Sequence, residues 1–505
     1  MRRRWRLKDD FPALYILYFL LFLLVKQLLK PKSQKKLPPG PRTLPIIGNL
    51  HQLMGPLPHR TLKDLSDKHG PLMHLKMGER SAIIVSDARM AKIVLHNHGL
   101  AVADRSVNTV ASIMTYNSLG VTFAQYGDYL TKLRQIYTLE LLSPKKVRSF
   151  YSCFEDELDG FVKSIKSQVG QPMVLYEKAS TYLYATICRT IFGSICKERE
   201  KMIKIVKRTS LLSGTPLRLE DLFPSMRVFC RFSKTLNQLR GLLQEMDDIL
   251  EDIIIEREKT TEISTEAKDD EDMLSVLLRH KWHNPSGAKF RITNADIKAI
   301  IFELILAATL SVADVTEWAM VEILRDPKSL KKVYDEVREV CKEKKRVTGY
   351  DVEKLEYMHL CVKESTRIHP AAPLLVPREC REDFEVDGYT VPKGAWVLTN
   401  CWAVQMDPKI WPEPEKFDPE RYIRNPMDFY GSNFELIPFG TGRRGCPGIL
   451  FGVTNAELLL AAMFYHFDWE IADGKKPEEI DLTEDFGAGC IMKYPLKLVP
   501  HLVNE

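Results

Sequence analysis

Runs of apolar residues, and the charges that interrupt them, divide the chain into elements. From Phe11 to Val25 no residue is charged and most are large and apolar. As a helix that run spans about 22 Å, and Leu28 and Leu29 extend its surface while Lys26 can snorkel to an interface. Short β-like segments follow at Leu72–Met77 and Ser81–Val85, then a helix at Ala88–Asn97. Helical patterning is predicted for Leu130–Leu142, Ser143–Val162, Tyr182–Phe192 and Thr235–Lys259. The longest apolar periodicity runs from Ile297 to Leu324, through Ile300, Ile301, Leu304, Ile305, Ala308, Val312, Val315 and Ala319. Its middle, Leu304 to Ala313, carries no charge, which predicts a helix buried at its centre. Asn294 is the expected cap and Pro327 the expected stop. Glu303, Asp314, Glu317 and the small residues argue against a second membrane span here. Strands are predicted around Phe384–Tyr389 and Ala395–Asn400. No internal repeat emerges.

The flanks of the first apolar run change its reading. Arg2, Arg3, Arg4, Arg6 and Lys8 precede it, tempered by Asp9 and Asp10; Lys30, Lys32, Lys35 and Lys36 follow, with no small-residue cleavage site. This predicts a retained anchor over residues 1–30 rather than a cleaved signal. The excess of basic residues after it places the body of the chain on the cytoplasmic side. Residues 31–50, with Leu37-Pro38-Pro39-Gly40-Pro41 and Pro45, read as a basic, proline-rich hinge, stiff because proline fixes φ and removes backbone donors. Residues 51–505 form the remaining body.

Apolar residues at 45% and charged residues at 28% describe a folded protein rather than a disordered or fibrous one. A net charge of +5 is small for 505 residues, and no zinc finger or basic-aromatic interleaving supports nucleic-acid binding. The cysteines are scattered without a CxxC pair, which favours reduced, cytosol-facing thiols. The polar tract Glu258–Asp272 reads as an exposed, mobile loop, and Ser210–Phe232, with Gly214, Pro216 and Pro224, as an irregular segment.

One cysteine stands in a different setting. Pro438-Phe439-Gly440-Thr441-Gly442-Arg443-Arg444-Gly445-Cys446-Pro447-Gly448 is a glycine-rich, arginine-bearing loop just ahead of an apolar helix. Backbone N–H groups and a helix N-terminus can stabilise a thiolate there. A metal ligand, a haem ligand and a buried thiol all fit these residues. The spacing Phe439-x-x-Gly442-x-Arg444-x-Cys446-x-Gly448 resembles the haem signature of cytochromes P450, in the form of plant microsomal members. The resemblance extends from the anchor and proline hinge to the terminal strands. It implies a mainly α fold with a small β portion, a single haem-thiolate domain over 51–505, and haem b (iron protoporphyrin IX) with Cys446 as the axial ligand. Phe439, Gly448 and Arg444 belong to the same signature. Arg134, on the helix after Phe123-Ala124-Gln125-Tyr126-Gly127, and Arg378 are implied propionate partners. The family usually has tryptophan where Leu130 stands.

The same resemblance gives the long helix its chemistry. Its centre normally carries Ala/Gly-Gly-x-Asp/Glu-Thr; here the residues are Ala307-Ala308-Thr309-Leu310-Ser311. Ala308 leaves room for dioxygen, and Ser311 can preserve the hydroxyl, but Leu310 cannot relay a proton. Asp314, three residues after Ser311, is the nearest substitute acid and otherwise a structural residue. Thr309 is expected to face elsewhere. Ordinary monooxygenation is the leading expectation. A P450-like isomerase, dehydratase or rearrangement enzyme and a noncatalytic haem-binding membrane protein are the alternatives.

Glu364 and Arg367, followed by Arg421 in Phe417-Asp418-Pro419-Glu420-Arg421, resemble the family's structural charge network. The apolar turn containing Leu374 and Leu375, and the late Gly487-Ala488-Gly489 turn, are expected to line a substrate pocket; Ala488 is the named candidate there. No flavin or dinucleotide domain is evident, so the resemblance implies electrons from NADPH-cytochrome P450 reductase. It also implies an endoplasmic reticulum membrane location with one span in lipid. The pocket segments are apolar and show no convergent charged handle, which favours an apolar small molecule. A terpenoid leads, with phenylpropanoids and alkaloid precursors open.

Overall fold

The computed structural model describes residues 35–193, 198–213, 218–226, 233–260, 271–283, 291–487 and 489–503. The anchor over 1–30, most of the Glu258–Asp272 tract and Ala488 lie outside these residues. Helices dominate, and five of them place the site: α1 (Asp128–Ile136), α2 (Leu175–Phe192), α3 (Asn294–Arg325), α4 (Glu356–Ile368) and α5 (Ile449–His466).

Helix α3 is the axis on which the others pack. It is capped by Thr293, not Asn294: the Thr293 side chain accepts from the N–H of Asp296, whose carboxylate accepts from Thr293 in return. Asn294 instead donates its side-chain amide to Glu251. At the far end Asp326 leaves helical geometry, as a residue before proline is forced to do, and Pro327 opens the next helix, Pro327–Val340. Both α3 and α5 are long and apolar enough to cross a membrane, yet 72% and 78% of their apolar windows are buried inside the protein. They are core helices, with α2, α4 and α5 packed around α3.

A five-stranded sheet lies beside this helical body. Its strands are β1 (Leu72–Met77), β2 (Arg80–Val85), β3 (Asp104–Arg105), β4 (Arg378–Glu379) and β5 (Trp396–Thr399), in the spatial order β1-β2-β5-β4-β3. The β1–β2 hairpin pairs Leu72 with Val85 and Met77 with Arg80. β2 and β5 run parallel, and β4 is antiparallel to both its neighbours. This pairing carries two arginines distant in sequence, Arg105 on β3 and Arg378 on β4, to opposed positions in one ladder. A further hairpin, β6 (Glu484–Phe486) with β7 (Cys490–Met492), ends beside α3, where Trp318 donates its indole N–H to the Cys490 carbonyl. The described cysteines form no disulfide with one another.

Candidate functional site

The loop before α5 is shaped around a projecting sulfur. Gly440 and Gly442 take φ of 68° and 66°, a left-handed geometry that side-chain-bearing residues resist. The resulting turn lets the Cys446 N–H bond the Phe439 carbonyl at 3.0 Å. The Gly448 N–H points at the Cys446 Sγ from 3.4 Å, and α5 begins directly after it. Cys446 is exposed to a cavity, whereas the other described cysteines are buried or half-buried. Desolvation pushes its thiol up, while the Gly448 N–H and the charge of Arg134 pull toward the thiolate. Phe439 lines the same cavity and meets the Phe429 ring edge-on, with centroids 5.3 Å apart.

Four arginines border this cavity: Arg105, Arg134, Arg378 and Arg444. Each is tied to backbone. Arg134 donates to the Gly445 carbonyl at 3.0 Å, Arg378 to Thr441 at 2.9 Å, and Arg444 to Ala103 at 2.6 Å and also to Ala124. Arg105 donates to the Thr122 and Val376 carbonyls at 2.9 and 2.5 Å. Burial and mutual repulsion pull Arg378 down to about 9 and Arg105 well below its usual value. One terminal nitrogen of Arg378, Nη1, is buried with no partner. A set of repelling, partly unsatisfied guanidinium groups calls for an anionic ligand.

The opposite wall is α3. Ala307, Ala308, Ser311, Val312 and Val315 face the cavity. Ser311 donates its hydroxyl to the Ala307 carbonyl at 2.8 Å. Thr309 is fully buried and bonds the Ile305 carbonyl at 2.7 Å, so it does face elsewhere. Leu310 is not part of the wall. Nor is Asp314, the acid weighed from its spacing as a substitute relay or a structural residue. The 60° offset between helix positions i and i+3 turns it toward Tyr176 and the Gly489 turn, where it is buried with Oδ1 unpartnered. Desolvation and the neighbouring Glu317 hold its carboxyl well above the ordinary range. Leu375 lines the cavity with Ala371, Ala372 and Val376. Leu374 does not: it packs on the sheet side, against the cluster containing Trp396 and Leu398.

Behind the cysteine loop lies a buried charge network. Glu364, fully buried on α4, accepts two hydrogen bonds from Arg367 at 2.9 Å each and one from Arg421 at 2.8 Å. Arg367 also donates to the carbonyls of Gln405 and Pro414. Gln405 then donates to the Arg367 carbonyl at 2.9 Å and accepts from the Ile437 N–H at 3.1 Å, tying the network to the segment that enters the cysteine loop. Sequence patterning missed Gln405, Arg105 and Glu303. Glu303 lines the cavity one turn ahead of Ala307 and two ahead of Ser311. A charge at that i, i+4, i+8 spacing in an otherwise apolar stripe was the available signal.

The cytochrome P450 profile matches residues 38–497. This chain belongs to the cytochrome P450 family. It is 92% identical over 494 residues to geissoschizine oxidase of Catharanthus roseus, spanning 98% of this chain and 99% of that one. The same figures hold for geissoschizine oxidase of Alstonia scholaris. Rhazimal synthase of Alstonia scholaris is 66% identical, over 98% of both chains. A zebrafish cytochrome P450 solved with abiraterone shares the fold at a TM-score of 0.76 and 21% identity, over 89% of this chain and all of that one. The chain is therefore a P450 monooxygenase whose cofactor is haem, iron protoporphyrin IX. The residues present fit that group. An exposed sulfur faces an apolar cavity rimmed by arginines that form no salt bridge among the described residues and leave one guanidinium nitrogen orphaned. That donor set suits a planar macrocycle with two carboxylates.

Proposed function

We propose that this P450 oxidises geissoschizine or a close indole-alkaloid analogue. Identity of 92%, end to end, with two geissoschizine oxidases carries the reading. The alkaloid replaces the terpenoid expected from an apolar pocket. Cys446 would hold the haem iron through its sulfur, and Arg105, Arg134, Arg378 and Arg444 would hold the propionates, with Phe439 and Gly448 bracketing the cysteine loop. Bound haem-thiolate supplies oxidation by dioxygen with electrons delivered one at a time. Ala307 and Ala308 keep the α3 wall low, and Ser311 offers a hydroxyl there. Electrons come from NADPH-cytochrome P450 reductase, and residues 1–30 anchor the chain in the endoplasmic reticulum membrane with residues 51–505 in the cytosol.

Two outcomes of the oxidation differ in atom balance. In monooxygenation, substrate, O2, NADPH and a proton give hydroxylated product, one water and NADP+. In net dehydrogenation the substrate loses two hydrogen atoms, and the same co-reactants give two waters. Both outcomes draw on the same dioxygen cleavage and the same protons, so the α3 wall, where Ser311 lies near Ala308, does not separate them. Loss of hydrogen agrees with the word oxidase in the relatives' names. Reconstitution with reductase, NADPH, 18O-labelled dioxygen and geissoschizine tests both. Consumption of geissoschizine with product two mass units lighter and no label supports dehydrogenation; one retained label supports monooxygenation. Turnover of terpenoids with geissoschizine untouched would overturn the substrate reading.

A further inference from the structure

We infer that Glu303 is an anionic anchor for the protonated amine of the substrate; the inference rests on the alkaloid reading above. Among the described residues lining the cavity it is the only acid, against a wall made mostly of apolar side chains with four arginines and the hydroxyls of Thr122, Tyr137, Ser311 and Thr366. It comes from α3, on the stripe that continues through Ala307 to Ser311, so its carboxylate lies about 12 Å along the helix axis from the Ser311 position. That separation lets one end of a polycyclic base engage the acid while another part reaches the cysteine end of the cavity.

The carboxylate is held in place by hydrogen bonds from the Val121–Thr122 segment rather than by an ion pair. Its two oxygens accept the Val121 and Thr122 N–H groups at 2.8 and 3.0 Å. Gly120 approaches so closely that a Cβ there would lie 2.5 Å from Glu303 Oε2, at a φ of 90°. No ion pair to Glu303 is found among the described residues; Arg105 and Arg444 act on it only through space. With those arginines given to the cofactor's propionates, no cation among the described lining residues is left to pair with the carboxylate. Desolvation pushes the carboxyl up to about 7 against the pull of the Thr122 hydroxyl, the two N–H groups and the charge of Arg105. A basic nitrogen entering the cavity then finds a buried acid to which it can be paired, and an uncharged isostere finds an unfavourable buried carboxylate. An aliphatic amine alkaloid is a cation at neutral pH, so the match is one of chemical class.

The test compares three ligands on haem-loaded protein: geissoschizine, its N-methyl quaternary salt, and a neutral lactam in which the basic nitrogen is acylated. Dissociation constants come from calorimetry, with the loaded fraction taken from the carbon monoxide difference spectrum. Glu303→Gln should weaken the two cations about tenfold or more, because the protonated amine loses a charge-assisted hydrogen bond and the quaternary ammonium, which has no N–H, loses its ion pair, and should leave the lactam within about twofold. Equal weakening of all three identifies a loop pin with no ligand role and overturns the inference, as does no weakening at all. If Glu303→Gln fails to load haem, the wild-type protein decides: about tenfold or greater preference for the quaternary salt over the lactam supports the anchor, and parity refutes it. Failure of wild-type protein to bind geissoschizine would instead strike at the substrate reading.

Discussion

Replacing Glu364 by glutamine keeps its shape and removes its charge from between two buried guanidinium groups. Arg367 is fully exposed to protein and not at all to water, and the Arg421 side chain retains only 8% of its exposure. In the native protein Glu364 accepts three bonds from these arginines and a fourth from the Asp418 N–H at 3.2 Å. Glutamine offers one acceptor oxygen and turns an amide N–H toward arginine donors. Two cations remain buried with no anion. Breaking a buried pair in this way costs about 3–5 kcal/mol, a large share of a typical folding free energy of roughly 5–15 kcal/mol. The loss falls where Gln405 links Arg367 to Ile437, so the cysteine loop loosens with it. We expect Glu364→Gln to express with a reduced haem-to-protein ratio, a lowered urea midpoint and a carbon monoxide difference spectrum shifted from the thiolate type. A triple variant, Glu364→Leu with Arg367→Met and Arg421→Met, should recover part of the urea midpoint, because apolar replacement removes the stranded charges. Unchanged haem content and urea midpoint in Glu364→Gln would refute the argument that this network supports the loop.

Other outcomes follow from the same geometry. Arg378→Leu and Arg105→Leu should each speed haem loss to apomyoglobin, by about tenfold if one charge-assisted bond of about 1.5–3 kcal/mol disappears; unchanged loss rates would exclude them as propionate partners. Glu317 is raised to about 7 by burial while its Oε1 accepts the Leu496 N–H at 2.8 Å. Its ionised form penalises the folded state, a penalty absent below the unfolded carboxyl's ordinary value near 4.5, growing as pH rises toward 7 and constant above it. Glu317→Gln should therefore stabilise the protein at pH 8 by about 1–3 kcal/mol and do little at pH 4.5, read as urea midpoints across pH. Leu310→Asp should leave the coupling of NADPH use to product unchanged, since position 310 does not line the cavity, whereas Ser311→Ala should lower coupling several-fold; improved coupling in Leu310→Asp would show that the acid reaches the site after all.

Local chemistry made much of this protein legible. The cysteine loop is contiguous, so its glycine turns, its arginine and its thiol can be read in one stretch, and α3 was visible as an uncharged helical stripe between charged ends. Its cap was misplaced by one residue because Thr293 and Asn294 are both good capping side chains, and only the reciprocal bond with Asp296 selects between them. Asp314 shows the limit of spacing arguments. Three residues along a helix makes it a neighbour of Ser311, but the 60° between them separates a cavity wall from a packed interface with Tyr176. Leu374 and Leu375 illustrate the same point, adjacent residues sent to opposite sides of one turn.

What the chain alone determined was the presence of a thiol set in a loop built to project it, a helix apolar enough to be buried, and the Glu364–Arg367 pair, each encoded within one contiguous stretch. Only the tertiary structure decided which charges meet. Arg105 and Arg378 become neighbours because two short strands pair across more than half the chain, Gln405 joins Arg367 to Ile437 through bonds formed on packing, and Glu303 becomes the one acid among the described residues lining the cavity once the Gly120–Thr122 loop closes over it. Electrostatic character depends on distance and burial, and neither exists until the chain has folded.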